Sequence, residues 1–447
     1  MEYLLLGVLA GTVAGIVPGV GVFATLLILY PWLTSLSIID TFVFYLALTS
    51  TTQYIGSVSA TLLGVPGEAS SLPAVYEGHT LFKKGKGAVA ISGAALGSLV
   101  GGFVVLGLIT LVAPFLYYAH HFFNTYVQAI VLYSVLFLML FYSNKNFFIS
   151  LLLCLFGLAL GLVGCSQWGL SNYDNHCFTP PGFSFVEADI STGLPLISVI
   201  AAIYVVPQLL NIETTRVSNI HQISNTLVEH FKYYYNNISA SLRGTFLGFW
   251  LGFTPGGSTV LASNTAHRLE VKREKQRGVY EKGNYRALVS AETANNAAAF
   301  TTLVPLLALG IPFAASEALF YDIITAKGFS FMGDIDVGFF MQNVAYNLVL
   351  INIFAFLLAW PFAKYVSYIY KIPPQMINIA VFCILCAVIY HVGSYMFAGW
   401  YYLGVFAVLL PIGYFLKKYD TMPLVFIFIL HDRFIMNGHT ILGLFNT

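Results

Sequence analysis

The sequence predicts an all-α polytopic membrane protein, with roughly 11–12 crossings arranged as two inverted-topology repeats. Three observations carry that prediction. The first is composition: 58% of the 447 residues are hydrophobic and 9% are charged, with a mean hydropathy of +0.79, whereas soluble domains carry about 25% charged residues. The second is a duplicated motif. Gly11 to Gly19 and Gly248 to Gly256 both read GxxxGxxPG, with Pro18 and Pro255 lying 237 positions apart. Each copy is followed by a second motif, Leu63-Gly64-Val65-Pro66 and Leu309-Gly310-Ile311-Pro312, with Pro66 and Pro312 246 positions apart. Two motifs in one order at nearly one offset imply an internal duplication of about half the chain. The third observation is loop charge. Lys83, Lys84 and Lys86 follow the second motif of the first half, and seven Lys or Arg between Arg268 and Arg286 follow the first motif of the second half. The corresponding loops in the other halves are poor in Lys and Arg: 31–41 holds Asp40, and the segment after Pro312 holds Lys327 among Asp322, Asp334 and Asp336. Opposite charge at equivalent loops is the signature of repeats inserted upside down to one another.

Windows of about 20 apolar residues mark spans near 3–30, 42–66, 88–115, 122–142, 147–165, 190–210, 241–263, 289–312, 337–362, 376–397, 400–416 and 424–445. Several are interrupted by Gly or Pro, which predicts broken helices or re-entrant hairpins. Residues 1–210 form the first repeat and 241–447 the second. The connector 211–240 is polar and aromatic, with Arg216 and Lys232, and reads as an interfacial helix. Positive-inside logic places both basic loops in the cytoplasm and the loop 166–189, with Asp174, Glu187 and Asp189, outside. The first apolar run leads directly into the first motif and lacks the basic start of a cleavable signal.

A net charge of +1 gives no sign of a nucleic-acid partner and leaves the lipid bilayer as the main environment. Cys154, Cys383 and Cys386 lie in apolar runs and read as packing; Cys165 and Cys177 flank a polar loop. The histidines are not at metal-ligand spacing. No phosphate-binding loop, metalloprotease helix or nucleophile elbow is present, so the chain is read as no enzyme and without a resident cofactor.

Discontinuous helices place a site near the bilayer midplane, where free N–H groups at half-helix N-termini favour carboxylates. The stretches Pro18-Gly19-Val20-Gly21 and Pro255-Gly256-Gly257-Ser258-Thr259 supply such breaks, with Gly64 to Gly67 and Gly310 to Pro312 facing them. Polar groups inside apolar runs come next. Asn295 and Asn296 offer amide donors to an anion and carbonyl oxygens to a cation; interhelical hydrogen bonding is the plainer reading, at about 0.6 kcal/mol. The run Thr49 to Gln53, with Ser57 and Ser59 beyond it, occupies the corresponding place in the first half and suits a cation site of hydroxyls and carbonyls. Thr51, Thr52 and Asn295 form the candidate sodium site. Glu68, Glu77, Glu317 and Asp322 lie just past the second motifs, either at the membrane interface or tuning the site's charge.

These residues resemble a known family, the large membrane subunit (TctA-type) of the tripartite tricarboxylate transporters. The matching stretches are Gly11 to Gly21, Tyr54-Ile55-Gly56-Ser57 through Pro66-Gly67, Gly244 to Ser258, and Glu292-Thr293-Ala294-Asn295-Asn296-Ala297 through Pro312. The resemblance covers most of 5–330 and is only hydropathic beyond. It implies secondary active uptake of tricarboxylates or dicarboxylates such as citrate, driven by a sodium or proton gradient at the cell membrane. It also implies a small membrane subunit and an extracytoplasmic solute-binding protein as partners, and an elevator-like moving domain; a homo-oligomer is a separate expectation. Carried over by motif, the substrate-binding residues are Gly19, Gly21, Ser57, Pro66, Gly67, Pro255, Gly256, Asn295, Asn296, Gly310 and Pro312. The chain departs from the pattern at Phe313, where the family has Gly, and at Glu317 and Asp322, where it is mostly small or apolar. Phe313 is expected to narrow that half of the site, and the acids to disfavour a trianion. The rivals are a cation-coupled carrier of another organic anion or amino acid without accessory subunits, an intramembrane enzyme, and a passive pore.

Overall fold

The computed structural model describes residues 1–17, 20–64, 66–119, 125–142, 146–163, 194–207, 227–331, 337–360, 374–394 and 398–445. These residues are predominantly helical, with no strand among them. The apolar runs explain this, because a helix satisfies its backbone polar groups internally in lipid. The first half comprises α1 (Glu2–Ile16), α2 (Gly21–Ile28), α3 (Tyr30–Ser35), α4 (Ile38–Leu63), α5 (His79–Lys83), α6 (Gly87–Ala119), α7 (Thr125–Tyr142), α8 (Phe147–Gly161) and α9 (Leu196–Ile200). After α10 (Leu227–Tyr235) come α11 (Ile238–Leu251), α12 (Ser258–Gln276), α13 (Tyr285–Thr301), α14 (Leu303–Leu309) and α15 (Ala315–Thr325). The chain ends with α16 (Tyr346–Ala359), α17 (Pro374–Ser394), α18 (Gly399–Leu416) and α19 (Met422–Phe445). Among the described residues, Gly87–Leu111, Phe340–Ala359 and Gly399–Leu416 are long and apolar enough to cross a membrane, and several other apolar helices run 10–17 residues.

The first motif is a packing face, and its partner is α4. A Cβ placed on Gly7, Gly11 or Gly15 would lie 2.6, 2.6 or 2.9 Å from the carbonyl oxygens of Phe44, Leu48 and Thr52. The partner number rises with the glycine number, so α1 and α4 run parallel. The intervening α2 and α3 must therefore carry the chain back. They do so, because the carbonyls of Leu33 and Leu36 and the Thr41 hydroxyl meet at one point, the Lys327 ammonium, at 2.6, 2.9 and 2.7 Å. The α1 tip reaches only to the middle of α4, beside Thr52 to Gly56. Residues 2–35 thus form a hairpin that enters and leaves on one side.

The second half repeats this arrangement. Gly244 packs on the Ser290 carbonyl, Gly248 on that of Ala294, and Gly252 on the Thr301 side chain, so α11 runs parallel to α13. The returning helix is α12. Its Glu270 takes a two-pronged bond from Arg243 of α11, at 2.9 and 2.5 Å, and a third contact from Arg286 at the start of α13 at 3.3 Å. The tip, Gly252 to Gly257, lies alongside the far end of α13.

The two hairpins open at opposite ends of the bundle. At the basic end Lys84 pairs with Glu281 at 2.5 Å, joining the segment after α4 to the loop before α13. At the other end Lys327, beyond α15, closes the base of the first hairpin. Hence α4 runs toward the basic end and α13 away from it. Between these ends lies the apolar core, where Tyr45 of α4 stacks on Phe320 of α15 at 4.0 Å and Phe42 meets Phe320 and Phe329 edge-on. The connector is described from α10 onward, where the Tyr234 hydroxyl donates to Ser241 at 2.6 Å.

Lys327 is a clamp, and its removal has a measurable cost. Hydrogen bonds from charged donors contribute about 1.5–3 kcal/mol net. Lys327→Met is expected to lower stability by about 1–3 kcal/mol, read as a lower unfolding midpoint in detergent. An unchanged midpoint would remove the clamp from the account.

Candidate functional site

Both tips meet the chain that follows each second motif in one cavity of about 540 Å³, within the roughly 300–1,000 Å³ of small-molecule sites. Val20 to Phe23 enter from the first hairpin and Gly257 to Val260 from the second. Pro66 to Ser70 and Ala314 to Glu317 enter from the second motifs, and Tyr45, Thr49 and Gln53 of α4 face Ala299 and Thr302 across the space.

Glycine makes this convergence possible. Gly21 (φ +55°), Gly256 (φ +81°) and Gly257 (φ +127°) hold backbone that side chains rarely adopt, and they let α2 and α12 begin at the cavity wall. Gly64 and Gly310 end their helices in the left-handed conformation, at φ +71° and +62°, a common helix terminator. The chain after each then turns into the cavity in matched register. The Glu68 N–H donates to the Ser71 hydroxyl at 3.4 Å, and the Ala314 N–H, at the equivalent place, donates to the Glu317 carboxylate at 3.2 Å. The Phe313 N–H donates to the same Glu317 oxygen at 2.6 Å, and the Gly256 N–H donates to the Phe313 carbonyl at 2.9 Å. The second-half tip is thereby tied to its own second motif. Glu68 accepts from Gln53 Nε2 at 2.8 Å, and Gln53 Oε1 accepts from the Ser70 hydroxyl at 3.2 Å. Helix α12 directs its first N–H groups and positive dipole end at the cavity, and α2 and α15 also start there.

Of the sequence-predicted site residues, Gly21, Pro66 and Gly67 line this cavity. Pro255 and Gly256 line an adjoining space of about 590 Å³, which also carries Arg268, Lys417 and Asp420. Gly19, with Pro18, lies outside the described residues. Gly310 and Pro312 are buried beside the cavity rather than in its wall. The Ser57 hydroxyl donates to the Tyr54 carbonyl of its own helix at 2.8 Å. Asn295 and Asn296 are fully buried on α13, outside the lining. Of the candidate sodium ligands, the Thr52 hydroxyl bonds the carbonyls of Leu48 at 2.7 Å and Gly11 at 3.3 Å, Thr51 packs against Gly11, and Asn295 belongs to a different helix. The Phe313 ring sits in the apolar core, not in the cavity wall. Among the described residues no three His, Cys, Asp or Glu side chains form a metal-binding group.

Sequence reading missed Tyr45, Thr302 and Ser316. Thr302 falls seven residues after Asn295 on one helix face, and Tyr45 lies eight residues before Gln53 on another, so helical spacing from known polar residues was the available signal.

A family model described as "Tripartite tricarboxylate transporter TctA family" matches residues 1–428. The "uncharacterized 52.8 kDa protein in TAR-I ttuC' 3'region" of Agrobacterium vitis is 30% identical over 328 residues, covering 72% of this chain and 63% of that protein. An "uncharacterized protein in TAR-II ttuC' 3'region" of the same organism is 34% identical over 130 residues, 26% of this chain and 53% of that one. The matches thus span less than two thirds of either relative's length. No solved structure matches. With its family model matched along nearly the whole length, the chain belongs to the tripartite tricarboxylate transporter TctA family.

Proposed function

We propose that this protein is the large membrane subunit of a secondary active transporter for small carboxylates, coupled to a sodium or proton gradient. It works by alternating access around the cavity between the two hairpin tips. The observation that carries the reading is the convergence of helix starts from both halves on that cavity, where backbone N–H groups and dipole ends attract carboxylate oxygens. The halves act as inverted repeats, since their hairpins open at opposite ends and their tips meet. The adjoining space with Arg268 and Lys417 provides a positive approach from the basic end. Family membership adds a small membrane subunit and an extracytoplasmic solute-binding protein as partners.

Counterflow in proteoliposomes tests this. Vesicles loaded with unlabelled citrate, given trace labelled citrate outside, are expected to accumulate label transiently and saturably. Thr259→Trp places an indole in the cavity wall and is expected to abolish counterflow while the protein still elutes as a folded species. Undiminished counterflow in that variant would remove the cavity from the substrate path.

One observation favours a second reading. The described cavity wall contains Glu68 and Glu317 but no Lys or Arg, which suits a zwitterionic amino acid better than a trianion. Counterflow of amino acids in place of citrate would select it.

A further inference from the structure

A cluster of buried, unpartnered polar atoms among the described residues lies outside the cavity. Glu292, Asn295 and Asn296 are each 0% exposed. Both carboxylate oxygens of Glu292, the amide oxygens of Asn295 and Asn296 and the Asn295 amide nitrogen lack a protein hydrogen-bond partner. The Asn296 amide is held by its nitrogen, which donates to the Ser98 hydroxyl of α6 at 2.6 Å. That bond leaves its oxygen without a donor. Orphaned buried polar atoms cost about 1–3 kcal/mol each, and more when charged, so five on one turn of helix require a physical cause.

Spacing groups them. Residues i, i+3 and i+4 share one face of a helix, their Cβ atoms about 5–6 Å apart. The orphaned set is four oxygens and one nitrogen. A proton on Glu292 serves one acceptor and leaves the amide oxygens unmet. A cation between the three side chains satisfies all four oxygens together. Hard oxygen donors select alkali and alkaline-earth ions, and one carboxylate with two neutral amides balances a single positive charge. The Asn295 N–H₂ lies outside the ion's shell and has no protein acceptor.

We propose that Glu292, Asn295 and Asn296 bind a dehydrated sodium ion between α13 and α6. The site is separate from the substrate cavity yet mechanically linked to it. Ala299 of α13 and Thr302 at its C-cap, which line the cavity, follow Asn295 by one and two turns, so the ion lies about 6 Å along the axis from the cavity wall. Filling the site fixes the helix face against which substrate binds. On the carrier reading, this is how the ion gradient is coupled.

The test uses the purified full chain without any carboxylate. Its thermal unfolding midpoint is followed as sodium chloride replaces choline chloride at constant ionic strength. A ligand that binds only the folded state raises the midpoint with its concentration. The wild type is expected to show a saturable rise, and Asn295→Ala and Glu292→Gln are expected to need at least tenfold more sodium for half the effect. Should Glu292→Gln fail to fold, Asn296→Ala takes its place by the same reading. A wild-type midpoint indifferent to the exchange, or variants with an unchanged sodium response, would overturn the site. Because the assay contains no substrate, failure here is separable from failure of the carboxylate reading: citrate counterflow without sodium stabilisation sinks the ion site alone, and sodium stabilisation without counterflow sinks the substrate class alone.

Discussion

Glu77→Ala is expected to destabilise the protein by about 3–5 kcal/mol, because it takes the acceptor from several buried donors at about 1–3 kcal/mol each. Glu77 follows the second motif of the first half and is 1% exposed. Its Oε2 accepts from the backbone N–H groups of Gly283 and Asn284 at 2.8 and 2.7 Å. Its Oε1 lies 2.9 Å from His267 Nε2 and accepts from the Tyr280 hydroxyl at 3.1 Å. All four partners belong to the second half, so one carboxylate latches the halves together at the basic end. Truncation leaves four groups without it, two of them backbone N–H groups that loop geometry keeps in place. Glu77→Gln retains one acceptor oxygen and loses less. The pH dependence has a definite sign. Burial pushes the Glu77 carboxyl up, but the bonds from His267, Asn284 and Gly283 outweigh it and hold it below the ordinary 4.5. A carboxyl depressed in the folded state contributes stability above its unfolded value and loses it as pH falls through the folded value. Wild type should therefore lose stability on acidification below about 4.5, with a shallower fall in Glu77→Ala. An Ala variant within 0.5 kcal/mol of wild type, or one with the same acid slope, would refute the latch.

Much of this was legible in the sequence, for reasons that can be named. The paired GxxxGxxPG stretches were legible as helix breaks at the site, but that their glycines also seat α1 and α11 backbone to backbone on α4 and α13 shows only in the structure. The matched second motifs marked the two left-handed helix ends, and loop charge marked which ends belong together. The choice between a crossing and a hairpin for residues 3–30 was not legible. An apolar run of that length reads alike either way, and the answer lies in the parallel packing of α1 on α4, a contact between segments about 40 residues apart. The depth of Asn295 and Asn296 was also hidden. Both read as cavity residues from their place beside the motifs, whereas the wall starts one turn further along the helix, at Ala299 and Thr302. Glu68 and Glu317 were visible as acids past the motifs, but their shared register with Ser71 and Ala314 emerges only from the backbone bonds.

Gly248→Leu is expected to abolish both folding yield and transport, and Gly248→Ala to cost about 1–3 kcal/mol, the usual penalty for overpacking. Two effects of opposite sign compete at this position. Alanine in place of a helical glycine gains about 1 kcal/mol in helix propensity. Against this, its Cβ would fall 2.5 Å from the Ala294 carbonyl oxygen, 2.6 Å from the Ala297 Cβ and 2.9 Å from the Ala294 Cα. Two of those three atoms are backbone of α13, a helix that also bears the cavity wall and the Asn295 cluster, so α11 must move bodily instead of a rotamer changing. Steric cost wins, and leucine makes it prohibitive. Gly11 of α1 meets the same geometry, with the Leu48 oxygen at 2.6 Å and the Thr51 Cβ at 2.8 Å, so Gly11→Ala should behave alike. Gly107 of α6 supplies the control: it has nothing within 4 Å of its added Cβ, and Gly107→Ala should keep the propensity gain and leave stability equal or higher. The measurement is the unfolding midpoint of the three alanine variants beside counterflow of each. If Gly248→Ala and Gly107→Ala shift the midpoint alike, close backbone contact is not what seats the hairpins, and the cavity between their tips loses its structural basis.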